Sequence, residues 1–239
     1  DEKLEQATKE QLQTLFERRL AGEPMAYIIG HREFMGLDFK VTPAVLIPRP
    51  ETELLVNTAL EFLEKLQAQG IENPRVLDIG TGSGIVAISI KHYYPKAEVI
   101  AVDLSAEALE VAKENAQVLK TSIEFLQSDL FTALDPQQHQ FDLVVSNPPY
   151  IHREDKHLEQ GDVRFEPVMA LTDFADGLNL IARLIAEAPK FLKSPAALWM
   201  EHGWDKAEMI RALLKQKDFK QVESLKDLAA IERISGGLI

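Results

Sequence analysis

The sequence has no cysteine and no apolar run of membrane-spanning length. The first absence excludes disulfides, thiolate nucleophiles and thiolate metal ligands. The second removes the signature of a spanning helix, and no signal-peptide pattern stands in its place. Together they fit a cytoplasmic protein with no membrane partner. Positive charge is also short: Lys and Arg number 26 against 38 Asp and Glu, a formal charge of −12. Gripping a phosphate backbone needs clustered cations, so direct sequence-specific binding of nucleic acid is not expected. The acidic balance suits a basic protein partner, and it equally serves plain solubility. None of the six histidines shows zinc-ligand spacing, so no metal is expected. The chain opens on Asp1 rather than Met, which predicts a fragment or a processed product.

What remains is ordinary for a globular chain. With 239 residues, 46% hydrophobic and 27% charged, it has room for one substantial α/β domain and a small extension. Leu12, Leu15, Phe16 and Leu20 recur at helical spacing, predicting a helix over 10–20 that Gly22 and Pro24 close. Residues 27–34 read as a turn-rich connector. Two short strands are expected at 38–41 and 45–47, flanking Thr42-Pro43-Ala44. A helix follows from Glu51 to about Gln69. From Arg75 onward strands and helices alternate, with strands at 75–79, 98–102, 123–126, 141–146 and 197–201. Helices are expected at 85–90, 106–119, 178–192 and 205–217. Segments 221–225 and 232–239 suggest a closing antiparallel pair, after a long polar loop over 152–172. Such alternation predicts an α/β, doubly wound, mostly parallel seven-stranded sheet. The expected division is a small, shortened helical N-terminal domain (1–36), a β-hairpin linker (37–50) and the main domain (51–239).

Two motifs carry chemistry. Asn147-Pro148-Pro149-Tyr150 follows the apolar strand 141–146. Consecutive prolines cannot donate to a sheet, so the strand stops there and Asn147 is held stiffly at its carboxyl end. Open α/β sheets bind ligands at that end. The second motif, Gly80-Thr81-Gly82-Ser83-Gly84, lies between the strand 75–79 and an apolar helix. In that arrangement backbone approaches a ligand closely. The next strand ends at Asp103, 23 residues beyond Gly80, where a carboxylate can accept from both ribose hydroxyls of a nucleoside. A dinucleotide fingerprint would need a third glycine where Ile85 stands, and a Walker loop would need a lysine that is missing. Both motifs therefore face one crevice, with a nucleoside on the glycine loop and a reacting group beside Asn147.

With these residues the chain resembles class I S-adenosylmethionine-dependent methyltransferases, and among them the amino-methyltransferases that carry Asn-Pro-Pro-Tyr. It is most similar to the peptide-chain release factor glutamine methyltransferases, through Pro48-Arg49-Pro50-Glu51-Thr52-Glu53, Gly22-Glu23-Pro24, Gly30, Glu33-Phe34, residues 161–167 and Glu201-His202-Gly203. The likeness runs from about Leu15 to the C-terminus.

The resemblance implies methyl transfer from S-adenosylmethionine, leaving S-adenosylhomocysteine, to the glutamine amide in a release factor's Gly-Gly-Gln tip. It implies cofactor contacts from Gly80, Thr81, Gly82, Ser83, Gly84, Asp103, Leu130 and Asn147. It also implies a substrate site at Asn147, Pro148, Pro149 and Tyr150, with Asn147, Pro148 and Tyr150 catalytic. Leu130 reads as an apolar cofactor contact or as a core leucine. The loop 152–167, with Arg164 and Glu166-Pro167, reads as a substrate clamp or as an ordinary salt-bridged loop. Residues 48–53 contact the cofactor, close the site or cap the following helix. Rival substrates are a ribosomal-protein glutamine and, against the acidic charge, DNA adenine. A non-catalytic binding scaffold and a dehydrogenase are more distant readings.

Overall fold

The computed structural model describes residues 6–239. It opens with helix α1 (Gln6–Leu20) and the single-turn α2 (Met25–Ile29). A hairpin of β1 (His31–Phe34) and β2 (Leu37–Lys40) follows. The hairpin lies upstream of the expected one. Met35 and Gly36 form its two-residue turn, both at positive φ (52° and 72°), the twist that joins tight antiparallel strands. A methionine does not advertise that conformation, which is why 27–34 reads as a connector. Residues 45–47 form no strand. The Val45 amide instead turns back to the Thr42 carbonyl at 3.0 Å, and Pro43 and Pro48 bracket a stretch with no ladder to join.

The main sheet has seven strands: β3 (Arg75–Ile79), β4 (Glu98–Asp103), β5 (Glu124–Gln127), β6 (Phe141–Ser146), β7 (Leu192–Glu201), β8 (Lys220–Lys226) and β9 (Glu232–Leu238). Their order is β5-β4-β3-β6-β7-β9-β8. The first five strands run parallel, and β9 is antiparallel to both its neighbours. The helices are α3 (Glu53–Ala68), α4 (Ile85–Tyr93), α5 (Ala106–Val118), the short α6 (Val168–Leu171), α7 (Asn179–Glu187) and α8 (Ala207–Gln216). Helix α7 stops short of the expected residue 192 because Pro189 converts its end to a 3-10 turn.

Side chains on the central strands alternate between two cores, apart from Phe141, which shares the core of Val144 across a register shift between Phe141 and Leu143. Val76, Val99, Ala101, Leu143 and Val145 face α3 and α4. Leu77, Ile100, Val102 and Val144 face α7 and α8. Continuous apolar runs are what a strand covered on both faces requires. The strand order reverses between β3 and β6, so their carboxyl ends splay and leave a crevice. A third, smaller core of Tyr27, Val41, Val45, Ile47, Ala108 and Val111 fastens the N-terminal segment over one side of it. Buried Asn115 on α5 joins the two parts. Its amide exchanges bonds with the Lys40 backbone (2.8 and 3.0 Å) and donates to the Ser83 carbonyl at 2.9 Å.

Candidate active site

Strand β3 delivers the glycine loop into the crevice. Gly80, Gly82 and Gly84 all sit at positive φ (73°, 56° and 86°). Gly84 also lies so close to α4 and α5 that a Cβ there would stand 2.7 Å from Ile88 Cδ1 and 3.3 Å from Ala112 Cβ. The loop is pinned from beneath by β4. The Gly80 and Thr81 amides donate to the Val102 carbonyl at 2.8 and 3.0 Å. Buried Asp78 accepts from Thr81 Oγ1 at 2.7 Å and from the Ala87 amide at 3.2 Å. Burial, with Asp103 adding a smaller push, lifts the Asp78 carboxyl to about 7 despite these two donors.

Asp103 ends β4 facing the loop. Its Oδ2 accepts from the Gly82 amide at 2.8 Å and its Oδ1 from the Ser105 amide at 2.9 Å. Burial raises its pKa while these amides oppose the rise. Each oxygen keeps a second lone pair for an outside hydroxyl.

A cavity of about 420 Å³ opens above these groups. Its floor is Gly80–Ser83, Asp103 and Ser146-Asn147-Pro148-Pro149, and Leu104, Ser128, Asp129 and Leu130 form one wall. The other walls are Pro43–Leu46 with Arg49 and Thr52, and Pro167–Ala170. Leu130 is 5% exposed in the core and also stands on the cavity wall, with φ of +50°. A half-buried carboxylate, a glycine floor and apolar walls of this volume suit an adenosine-sized ligand. Among the described residues no group of His, Asp and Glu could hold a metal ion, and no helix is long and apolar enough to cross a membrane.

Asn147 stands where β6 ends, and its side chain is held from behind. Its Nδ2 donates to Thr52 Oγ1 at 3.2 Å. Thr52 Oγ1 donates to Glu201 Oε2 at 2.7 Å, and the Tyr150 hydroxyl donates to Glu201 Oε1 at 3.1 Å. Burial pushes the Glu201 carboxyl up, and these two hydroxyls pull it back down. Burial, reinforced by Glu201, raises the Tyr150 phenol well above its usual range. The expected site residues thus gather around the cavity except Gly84, which packs against α4 and α5, and Tyr150. Tyr150 lies off the cavity wall, with its hydroxyl turned to Glu201. Thr52 and Glu201 are the contributors that spacing did not reveal, since they lie 95 and 51 residues from the groups they hold.

The segment 161–167 docks on the N-terminal part of the chain. The Glu166 carboxylate, fully buried, pairs with the Arg49 guanidinium, and its Oε2 accepts from the Ile47 amide at 3.0 Å. The Arg164 guanidinium donates to the Ala21 carbonyl at 2.7 Å and lies over the Phe165 ring. Arg49-Glu166 therefore locks two cavity walls, 43–49 and 167–170, to each other. Residues 50–52 form a 3-10 turn leading directly into α3, with no side-chain capping hydrogen bond at either start.

The family described as "Methyltransferase small domain" matches residues 54–164, and "PrmC N-terminal domain" matches residues 1–30. A release factor glutamine methyltransferase from Bordetella pertussis is 59% identical over 93% of this chain and 80% of its own length. One from Escherichia coli is 44% identical over 95% of this chain and 80% of its own. Among solved structures, a Pyrococcus furiosus methyltransferase superposes with a TM-score of 0.60 at 18% identity, covering 96% of this chain and 97% of that one. A Thermus thermophilus 16S rRNA N2 G1207 methyltransferase, solved with AdoMet and guanosine, gives 0.62 at 20% identity over 87% of this chain and 49% of that one. At such identities these structures speak to the fold alone.

Proposed function

This chain belongs to the release factor glutamine methyltransferases, and from that membership we infer that it methylates the side-chain amide nitrogen of the glutamine in a release factor's Gly-Gly-Gln motif. The methyl donor is S-adenosylmethionine and the product S-adenosylhomocysteine. Gly80–Gly84 and Asp103 hold the nucleoside part, with Leu130 against its base and Asn147 at the inner end. When bound, the donor supplies an electrophilic methyl on its sulfonium. We place the reaction in the cytoplasm, with no membrane and no sequence-specific nucleic-acid contact. Residues 1–36 serve docking of the protein substrate, 37–50 link, and 51–239 carry the chemistry.

The observation that supports this reading most is the position of Asn147 at the cavity floor, with its carboxamide nitrogen tethered and its Oδ1 left for an outside donor. An amide nitrogen is a poor nucleophile because its lone pair is delocalised into the carbonyl. Asn147 Oδ1 and the Pro148 carbonyl accept the two hydrogens of the target –NH2. That turns its lone pair into the cavity and lets the nitrogen pyramidalise. Both bonds strengthen as positive charge grows on nitrogen, which is transition-state stabilisation. Pro149 stiffens the loop, and Tyr150, hydrogen-bonded to Glu201, braces it from behind. Orientation of this kind supplies several of the roughly 7–11 kcal/mol available from alignment. Displacement at a sulfonium needs no strong base and no metal, since a methylated amide cation sheds its proton readily.

The test separates turnover from cofactor affinity. Asn147→Ala is expected to lose most methyl transfer to a release factor while S-adenosylhomocysteine affinity changes little. Equal loss of both contradicts the division of roles. Transfer to ribosomal protein or DNA in place of release factor moves the substrate to a rival.

A further inference from the structure

We infer that Thr52, with Glu201 as its acceptor, is the positioning residue that fixes which end of the Asn147 carboxamide meets the substrate. This rests on the function proposed above, and it concerns residues that touch neither reacting atom. A carboxamide can turn over to exchange its C=O and NH2 ends at almost no steric cost, so the hydrogen bonds around it decide its orientation. In the wrong orientation Asn147 would meet the target amide with donors against donors, and the transfer geometry would be lost.

The hydrogen bonds run in one direction only. The Thr52 hydroxyl has a single proton, and it lies 2.7 Å from Glu201 Oε2. Its lone pairs are then all that faces Asn147, so the group presented to it at 3.2 Å must be Nδ2. The carboxylate is held as an acceptor by a second hydroxyl, Tyr150, at 3.1 Å on Oε1. Burial raises the Glu201 pKa, the Thr52 and Tyr150 hydroxyls oppose that rise as donors to the carboxylate, Glu51 adds to it and Arg233 lowers it. Thr52 and Glu201 are 0% and 1% exposed, so water does not compete for these bonds. The same arrangement ties three segments remote in sequence, the 3-10 turn before α3, the end of β6 and the end of β7. It explains why a threonine and a glutamate with no contact to a reacting atom are buried beside the loop.

The test compares two substitutions that pull packing and hydrogen bonding apart. Thr52→Val keeps the shape and loses the hydroxyl, whereas Thr52→Ser loses a methyl and keeps the hydroxyl. The expected result is that T52V lowers kcat for release factor methylation by about 10²-fold, the scale of losing one aligned transition-state hydrogen bond. KM for the factor and affinity for S-adenosylhomocysteine stay near the parent, and T52S recovers kcat to within a few-fold. Glu201→Ala, which frees the Thr52 proton to turn toward Asn147, is expected to match T52V, and the double variant to be no worse than either single one. A purely structural role predicts the reverse order, with T52S the more damaging of the two. T52V with parental kcat, or T52S as poor as T52V, overturns the assignment.

A second readout does not depend on the substrate. In the S-adenosylhomocysteine complex, the Asn147 side-chain NH2 should give NMR signals that shift and lose exchange protection in T52V but not in T52S. Signals unmoved in both variants would overturn the assignment even if the protein proved to methylate another target. A parent enzyme inactive on release factors, with the Asn147 signals behaving as expected, would instead defeat the proposed function alone.

Discussion

Replacing Arg49 with alanine removes one member of the ion pair that joins two walls of the cavity. The two partners are unequal, and the inequality sets the magnitude. The Glu166 side chain is 0% exposed, whereas that of Arg49 is 33% exposed. In R49A the carboxylate stays buried with only the Ile47 amide to satisfy it. Stranding a buried charge in this way costs about 3–5 kcal/mol. Glu166→Gln strands nothing comparable. The glutamine oxygen keeps an acceptor for Ile47, and the guanidinium, already one-third exposed, takes up water. The loss there is closer to one charge-assisted hydrogen bond, about 1.5–3 kcal/mol. Urea unfolding followed by circular dichroism reads the difference. With a slope near 3 kcal/mol/M, the R49A midpoint falls by roughly 1–1.7 M and the E166Q midpoint by about half of that. Because Val45 and Leu46 on one wall and Val168 and Met169 on the other depend on this tie, R49A should also weaken S-adenosylhomocysteine binding. Equal losses in the two variants, or a larger loss in E166Q, refute the argument that the burial asymmetry governs the pair.

Three further outcomes follow from the loop and its carboxylates. Gly84→Ala places a Cβ at φ +86° and 2.7 Å from Ile88 Cδ1, so thermal unfolding should show a loss of about 2–4 kcal/mol from left-handed strain and crowding. A melting temperature equal to the parent's would contradict the packing seen there. Asp103→Ala removes the acceptor for the nucleoside, and calorimetry should show S-adenosylhomocysteine affinity falling by about 10²–10⁴-fold, the worth of two bonds to a charged group. Burial lifts the Asp78 carboxyl to about 7. Between its unfolded value near 4 and that point, the folded protein therefore holds a proton that the unfolded chain has released. Stability should fall as pH rises through this window, by on the order of a few kcal/mol from this group. Asp78→Asn, which keeps an acceptor for Thr81 and Ala87, should flatten that part of the curve. Parallel curves for variant and parent argue that other groups cause the fall.

The sheet was legible wherever burial on both faces writes itself as an apolar run. Segments 75–79, 98–102 and 141–146 read as strands because each of their apolar side chains has a core to enter. The glycine loop and Asn147-Pro148-Pro149 were legible because backbone geometry restricts those positions to a few residue types. The hairpin was misplaced because its turn relies on Met35 at φ +52°, a conformation the sequence does not signal. Val45 and Ile47 look like a strand by alternation, yet they serve a small core beneath a loop. The hydrogen bonds behind Asn147 were beyond sequence reasoning altogether. Thr52 lies among the helix-start residues Pro50, Glu51 and Glu53, and Glu201 sits at the end of an apolar strand. Only the fold reveals that the two lie 2.7 Å apart across 149 residues. The loop 152–167 shows the same limit. Its charges left a substrate clamp and an ordinary salt-bridged loop both open, and they did not show that Arg164 and Glu166 anchor it to Ala21 and Arg49.

The central claim is tested most directly by methyl transfer from labelled S-adenosylmethionine to a release factor and to the same factor with its Gly-Gly-Gln glutamine replaced by alanine. Label on the first and not on the second is the predicted result. Equal label on both places the methyl on another residue, and label on neither contradicts the substrate assignment.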